Sequence, residues 1–105
     1  MRESYIEGQL RKQIEKKGGR FYKWVSPGNA GVPDRIAVLP GGRIWFIELK
    51  TEKGRLKPVQ KWMQGRLKEL GCNVRTVYGM DDVRDLMKEV MRDEVHTARI
   101  PGKGD

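Results

Sequence analysis

Gly31-Val32-Pro33-Asp34-Arg35-Ile36-Ala37-Val38-Leu39-Pro40-Gly41-Gly42-Arg43-Ile44-Trp45-Phe46-Ile47-Glu48-Leu49-Lys50 is the stretch that decides how this chain folds. Two apolar runs, Ile36 to Leu39 and Ile44 to Ile47, flank a Pro-Gly-Gly turn, the pattern of a β-hairpin. If the loop is Pro40 to Gly42, Leu39 faces Arg43, Ile36 faces Phe46 and Asp34 lies opposite Glu48. Strand side chains alternate with period two, so Lys50 shares a face with Glu48, whereas a slip of one residue would part the two carboxylates. In this register two carboxylates and a lysine converge at one end of the hairpin.

Carboxylates held side by side repel each other, and burial sharpens the conflict unless a proton or a cation intervenes. Hard oxygen ligands with room for water suit Mg²⁺ or Mn²⁺. A neighbouring lysine can position a water and stabilise negative charge developing on phosphorus. The chemistry that uses all three groups is metal-assisted phosphodiester hydrolysis. A hairpin with solvated charged ends is the plain alternative in a chain with 34% charged residues.

Gly31-Val-Pro-Asp34-Arg-Ile, then Trp45-Phe-Ile-Glu48-Leu-Lys50, then Gln60, closely resembles the virus-type replication-repair nuclease (VRR-NUC) family of the PD-(D/E)xK phosphodiesterase superfamily. The resemblance runs from about Glu7 to Val90, as expected of a stand-alone domain. It implies a restriction-endonuclease-like α/β core and divalent-metal-dependent DNA cleavage, with Mg²⁺ or Mn²⁺ held by Asp34, Glu48 and the backbone carbonyl of Leu49. Lys50 and Gln60 are the further catalytic positions it implies. In the family a first-helix glutamate of the Glu-x-x-Leu type contributes to the active site. Glu7-x-x-Leu10 matches it, which implies a metal-site role for Glu7, direct or through water. Stand-alone viral and bacterial members act as homodimers on branched DNA, so a homodimer is the expected assembly.

Composition agrees with a polyanionic partner. Lys+Arg number 22 against 14 Asp+Glu, a net charge of +8, which favours nucleic acid ahead of an anionic membrane. At 105 residues, 37% of them hydrophobic, the chain makes one domain with one modest core. No apolar run approaches a membrane span and no signal-peptide core opens the chain, so cytoplasmic residence, in a bacterium or a virus-infected host, is expected. Cys72 alone excludes an intramolecular disulfide and a cysteine-based zinc site, and the lone His96 argues against nucleases built on histidines.

Around the hairpin, residues 4 to 17 read as a helix with Ile6, Leu10 and Ile14 on one face, stopped by Gly18-Gly19. Ser4-Tyr5-Ile6-Glu7 also fits a capping box, a competing reading of Glu7. Arg20 to Val25 reads as a strand, and Ser26 to Gly31 as a loop that is either a surface turn or a close approach to phosphate. Lys53, Arg55 and Lys57 make a basic connector, and with Lys23 and Arg35 they are the cations expected to hold DNA. The spacing predicts a helix from Pro58 to Leu70 that buries Val59, Trp62, Met63, Leu67 and Leu70. A strand over Asn73 to Tyr78 follows, then a helix capped by Asp81 with Val83, Leu86, Met87, Val90 and Met91 on one face. Met87 and Met91 are a candidate dimer surface. Residues 1–92 are expected to form the nuclease domain and 93–105 a flexible tail.

The predicted order is α-β-β-β-α-β-α, a mixed central sheet flanked by helices. No base-reading module is visible, so selectivity for DNA structure, a Holliday junction or a flap met in replication, repair or recombination, is expected over sequence. The competing function is a catalytically silent nucleic-acid-binding protein that keeps the fold and the charge.

Overall fold

A computed structural model describes residues 2–98, with side chains through Arg92. Seven elements follow the expected order: α1 (Glu3–Lys16), β1 (Arg20–Lys23), β2 (Arg35–Leu39), β3 (Arg43–Leu49), α2 (Pro58–Glu69), β4 (Asn73–Val77) and α3 (Met80–Ala98). The sheet runs β1-β2-β3-β4. The first three strands are antiparallel, and β4 lies parallel to β3, which requires the crossover that α2 supplies.

The hairpin register is the one the Pro-Gly-Gly turn predicts, with Leu39 against Arg43 and Ile36 against Phe46. Odd-numbered strand residues point to one face, where Phe21, Ala37, Leu39, Trp45, Ile47, Leu49 and Val77 pack against Ile6, Leu10 and Ile14 of α1 and Val83, Leu86, Met87 and Val90 of α3. Even-numbered residues, Glu48 among them, point to the opposite face. There α2 crosses β4, with the Gln64 amide donating to Thr76 Oγ1 at 2.8 Å.

That crossing corrects the expected role of α2. Val59, Trp62 and Leu70 are exposed (40%, 62% and 74%), Met63 and Leu67 are half-buried, and the buried residue of the helix is Gln64. The helix turns its Gln60–Gln64 side to the sheet because Glu48 and Thr76 offer hydrogen bonds there, and the apolar stripe is left facing out. Met87 is buried in the core and Met91 is 48% exposed, so the two do not form one exposed apolar pair.

Helix starts also differ from expectation. α1 begins at Glu3 after an extended Arg2, with no side-chain cap, so the capping box at Ser4 is absent and Glu7 is directed elsewhere. α3 begins two residues early: Val83 N–H bonds to Gly79 O, Asp82 accepts from Tyr78 N–H at 2.8 Å, and the exposed Asp81 pairs with Arg84 instead of capping. β1 ends at Lys23, although Trp24 N–H still reaches Asp34 O at 2.9 Å. α3 continues through Ala98, into the stretch read as a tail, and residues 99–105 lie outside the described residues.

Candidate active site

The loop that delivers Asp34 is wedged under α2. Gly31 sits at φ +89°, and a Cβ there would lie 2.5 Å from Val59 O, so a side chain at 31 would collide with the first turn of the helix. Pro33 is fully buried. Trp24 N–H holds the Asp34 carbonyl, and the Trp24 ring leans on Phe46 at 5.0 Å between centroids. Asp34 is therefore held through its own carbonyl before its carboxylate does anything.

Extending the hairpin register by one residue sets Asp34 against Glu48. Asp34 Oδ1 accepts from Leu49 N–H at 3.2 Å, and Glu48 Oε2 lies 3.5 Å from Lys50 Nζ and 3.3 Å from the Gln60 amide nitrogen. Gln60 is anchored in turn by Lys57 N–H, which donates to its Oε1 at 2.8 Å. Lysine cannot accept a return bond, so only the glutamine half of a capping box forms, and it aims the amide at Glu48. Lys50 is anchored through its own N–H, which donates to Val77 O at 2.9 Å.

Electrostatically the pair is under tension. Burial pushes the Asp34 carboxyl above its usual range, only partly offset by Leu49 N–H and by the Arg35 and Lys50 charges. Burial likewise raises Glu48, and the Asp34 charge raises it further, against the pull of Lys50. The Lys50 and Arg35 charges do not offset the desolvation of the two carboxylates, and a divalent cation would. Among the described residues no third Asp, Glu, His or Cys joins the pair. Two carboxylates with water and phosphate completing the shell is a donor set that fits Mg²⁺ or Mn²⁺.

Glu7 lies behind this pair, on the α1 side of the sheet. Its two oxygens accept from Arg11 (2.6 Å) and Arg35 (2.7 Å), and the Arg35 contact holds its carboxyl below the usual range. Arg35 differs from expectation. It is buried, and its terminal nitrogens are committed to Glu7 and Asp34, so it is not available as a DNA contact. Lys23, Lys53, Arg55 and Lys57 are exposed, with Arg55 folded onto the Lys53 and Gly54 carbonyls. The sequence reading missed Gln64 and the Arg11–Glu7–Arg35 chain. The Gln60-x-x-x-Gln64 spacing, one helical turn, is the signal that would have found the first.

A carboxylate pair, a lysine and a glutamine converging at the end of a hairpin in an α-β-β-β-α-β-α sheet define a nuclease of the PD-(D/E)xK type. No protein-family model matches the chain. A phage protein named "Putative nuclease p44", from Acyrthosiphon pisum secondary endosymbiont phage 1, is 42% identical over 81 residues, covering 77% of this chain and 87% of that protein. A solved structure described as a VRR_NUC domain superposes with a TM-score of 0.78 at 31% identity, covering 82% of this chain and 94% of that one. The chain belongs to the VRR-NUC nuclease family. No helix among the described residues is long and apolar enough to cross a membrane.

Proposed function

We propose that this nuclease is a Mg²⁺- or Mn²⁺-dependent endonuclease that cuts branched DNA, a Holliday junction or a flap, during replication, repair or recombination. The observation that carries the reading is the Asp34–Glu48 pair, partly buried, mutually repelling and faced by Lys50. A purely nucleic-acid-binding protein gains nothing from two such carboxylates beside a polyanion, which disfavours the silent alternative.

In this reading Asp34, Glu48 and the Leu49 carbonyl hold the metal. Glu7, whose oxygens are already taken by guanidinium groups, is not counted among the direct ligands. When bound, the metal polarises the phosphate and lowers the pKa of water. The chain supplies the rest. Gln60 fixes the orientation of Glu48, and the Lys50 ammonium stands where it can hold the attacking water and offset the charge that grows on the phosphoryl oxygens. A panel of labelled four-way junction, flap, nicked duplex, single strand and RNA, each with Mg²⁺, Mn²⁺ or chelator, tests the proposal. Cutting of the branched substrates alone, and only with metal, is expected, and equal cutting of linear duplex would end the structural selectivity.

Lys53, Arg55 and Lys57 follow the Glu48–Lys50 segment directly and are the expected backbone track, with Lys23 at the other side of the loop. Binding should weaken linearly in log[salt]. Replacing Arg55 and Lys57 together with alanine should reduce the slope by about one for each phosphate that is no longer neutralised, nearly equally for all sequences. Titrations by fluorescence anisotropy at several salt concentrations measure it, and an unchanged slope places the track elsewhere.

The proposed assembly is a homodimer, which offers two identical sites to the two equivalent strands of a junction. Its surface is the outward stripe of α2, Val59, Trp62 and Leu70, with Tyr22 and Ile44 on the sheet face that α2 leaves bare. Large apolar side chains grouped on one side of a small domain are what a self-complementary interface buries. Light scattering at micromolar concentration should give twice the 12.1 kDa chain mass for the wild type and the single mass for Trp62→Glu. A wild-type monomer that still resolves junctions would refute the dimer.

A further inference from the structure

Asp34 does not stand alone at its strand end. Arg35 turns to the opposite face of the sheet, towards α1, with its side chain 11% exposed. Its Nη1 donates to Asp34 O at 3.0 Å and lies 3.5 Å from Asp34 Oδ2, while its Nη2 donates to Glu7 Oε2 at 2.7 Å. The other Glu7 oxygen accepts from Arg11, whose guanidinium sits over the Phe21 ring at 6.0 Å. With Leu49 N–H on Oδ1 and Arg35 beside Oδ2, both oxygens of Asp34 are oriented.

We propose that Arg35 is the positioning residue for the Asp34 carboxylate, and that Glu7 serves the site through Arg35 rather than as a ligand of its own. The inference rests on the reading of Asp34 as a metal ligand. A guanidinium is a rigid fork, so fixing one prong fixes the other. Glu7, held by Arg11 on the first helix, fixes the prong on the α1 side, and the remaining prong then grips Asp34 by its carbonyl and carboxylate together. A buried arginine left without Glu7 would lose the shorter of its two ion pairs and the anchor that aims its other prong, and its grip on Asp34 would loosen. Outer partners of this kind set ligand geometry, and their loss typically weakens metal binding about 10–100-fold.

The test measures metal uptake without DNA or cleavage. Mn²⁺ is titrated calorimetrically into wild type, Glu7→Gln, Arg35→Met, Arg35→Lys and the double variant Glu7→Gln/Arg35→Met, with thermal melts showing the folded fraction. Arg35→Met is expected to loosen Mn²⁺ about 10–100-fold. Arg35→Lys, which keeps the charge and loses the fork, should fall between it and wild type. Glu7→Gln should loosen Mn²⁺ by itself yet add less than about twofold once Arg35 is Met, because its route to the site has gone. Should the Met variant fail to fold, Glu7→Gln with Arg35→Lys closes the same cycle. A loss from Glu7→Gln of equal size in both backgrounds would make Glu7 an independent ligand and overturn the proposal. Unchanged affinity in a smaller folded fraction would also overturn it, since that is what a merely structural role predicts. Wild-type protein that takes up no Mn²⁺ would instead sink the metal reading beneath it, and that outcome appears before any variant is made.

Discussion

Glu48→Gln and Asp34→Asn proteins are expected to bind a labelled junction and leave it uncut. Both changes keep size and hydrogen-bonding capacity and remove one negative charge from the place proposed for the cation. Cleavage should fall by at least about 10³-fold, in the range of losing one essential electrostatic or acid–base group. Binding should hold or tighten, because a carboxylate close to phosphate repels it. A second readout separates this from misfolding. Folding raises the pKa of both carboxyls, so in the folded state they hold protons more tightly than in the unfolded chain. Stability from these groups is therefore present below their ordinary pKa values, 3.8 and 4.5, and is lost as pH rises through the raised folded values. In chelator at neutral pH, each neutral variant should melt above wild type. The advantage should vanish in acid, where the wild-type carboxyls are protonated, and shrink when Mg²⁺ is added. Neutral variants that melt below wild type at neutral pH would contradict the strained pair, and full cleavage in chelator would remove the metal from the mechanism.

Lys50→Ala is expected to lower kcat by about 10²-fold or more while DNA affinity changes only a few-fold, the signature of an interaction made in the transition state. The geometry limits what else Lys50 can do. Its side chain is 19% exposed, its ammonium is turned to Glu48, and Gly54 admits the following loop against its stem, where an added Cβ would come within 3.0 Å. A lysine so enclosed is poorly placed to serve as a general phosphate clamp. Lys50→Arg should recover little, since a planar fork does not replace a compact ammonium. Single-turnover rates with saturating enzyme, set beside anisotropy titrations, measure the two quantities separately. A loss confined to binding would reduce Lys50 to another member of the basic track.

The hairpin is legible in the sequence because its information is local. Apolar runs, a Pro-Gly-Gly turn and period-two alternation fix the register, and the register brings Asp34 and Glu48 to adjacent strand positions with Lys50 following. The same holds for the α1 stripe Ile6, Leu10 and Ile14 and for the buried face of α3 from Val83 to Val90. Local signals are weaker at helix starts. Ser4-x-x-Glu7 has the spacing of a capping box, but two arginines offer the Glu7 carboxylate more than a backbone N–H does, and the helix begins without it.

Pattern fails outright at α2. Val59, Trp62, Met63, Leu67 and Leu70 describe an amphipathic helix, and period alone says that such a face is covered without saying by what. Two polar contacts, Gln60 to Glu48 and Gln64 to Thr76, decide which side meets the sheet, and both partners lie on strands outside the helix. Arg35 shows the same limit. As a basic residue beside the hairpin aspartate it reads as a DNA contact, and only the packing of α1 against the sheet supplies the half-buried Glu7 that claims it. Spacing along the chain was enough for the order of the elements, the hairpin register and the identity of the acidic pair with its lysine. It could not say which side of α2 is buried or which carboxylate neutralises Arg35. Those depend on three-dimensional packing, because a buried polar group takes the partner that folding brings within about 3 Å, wherever that partner lies in the chain.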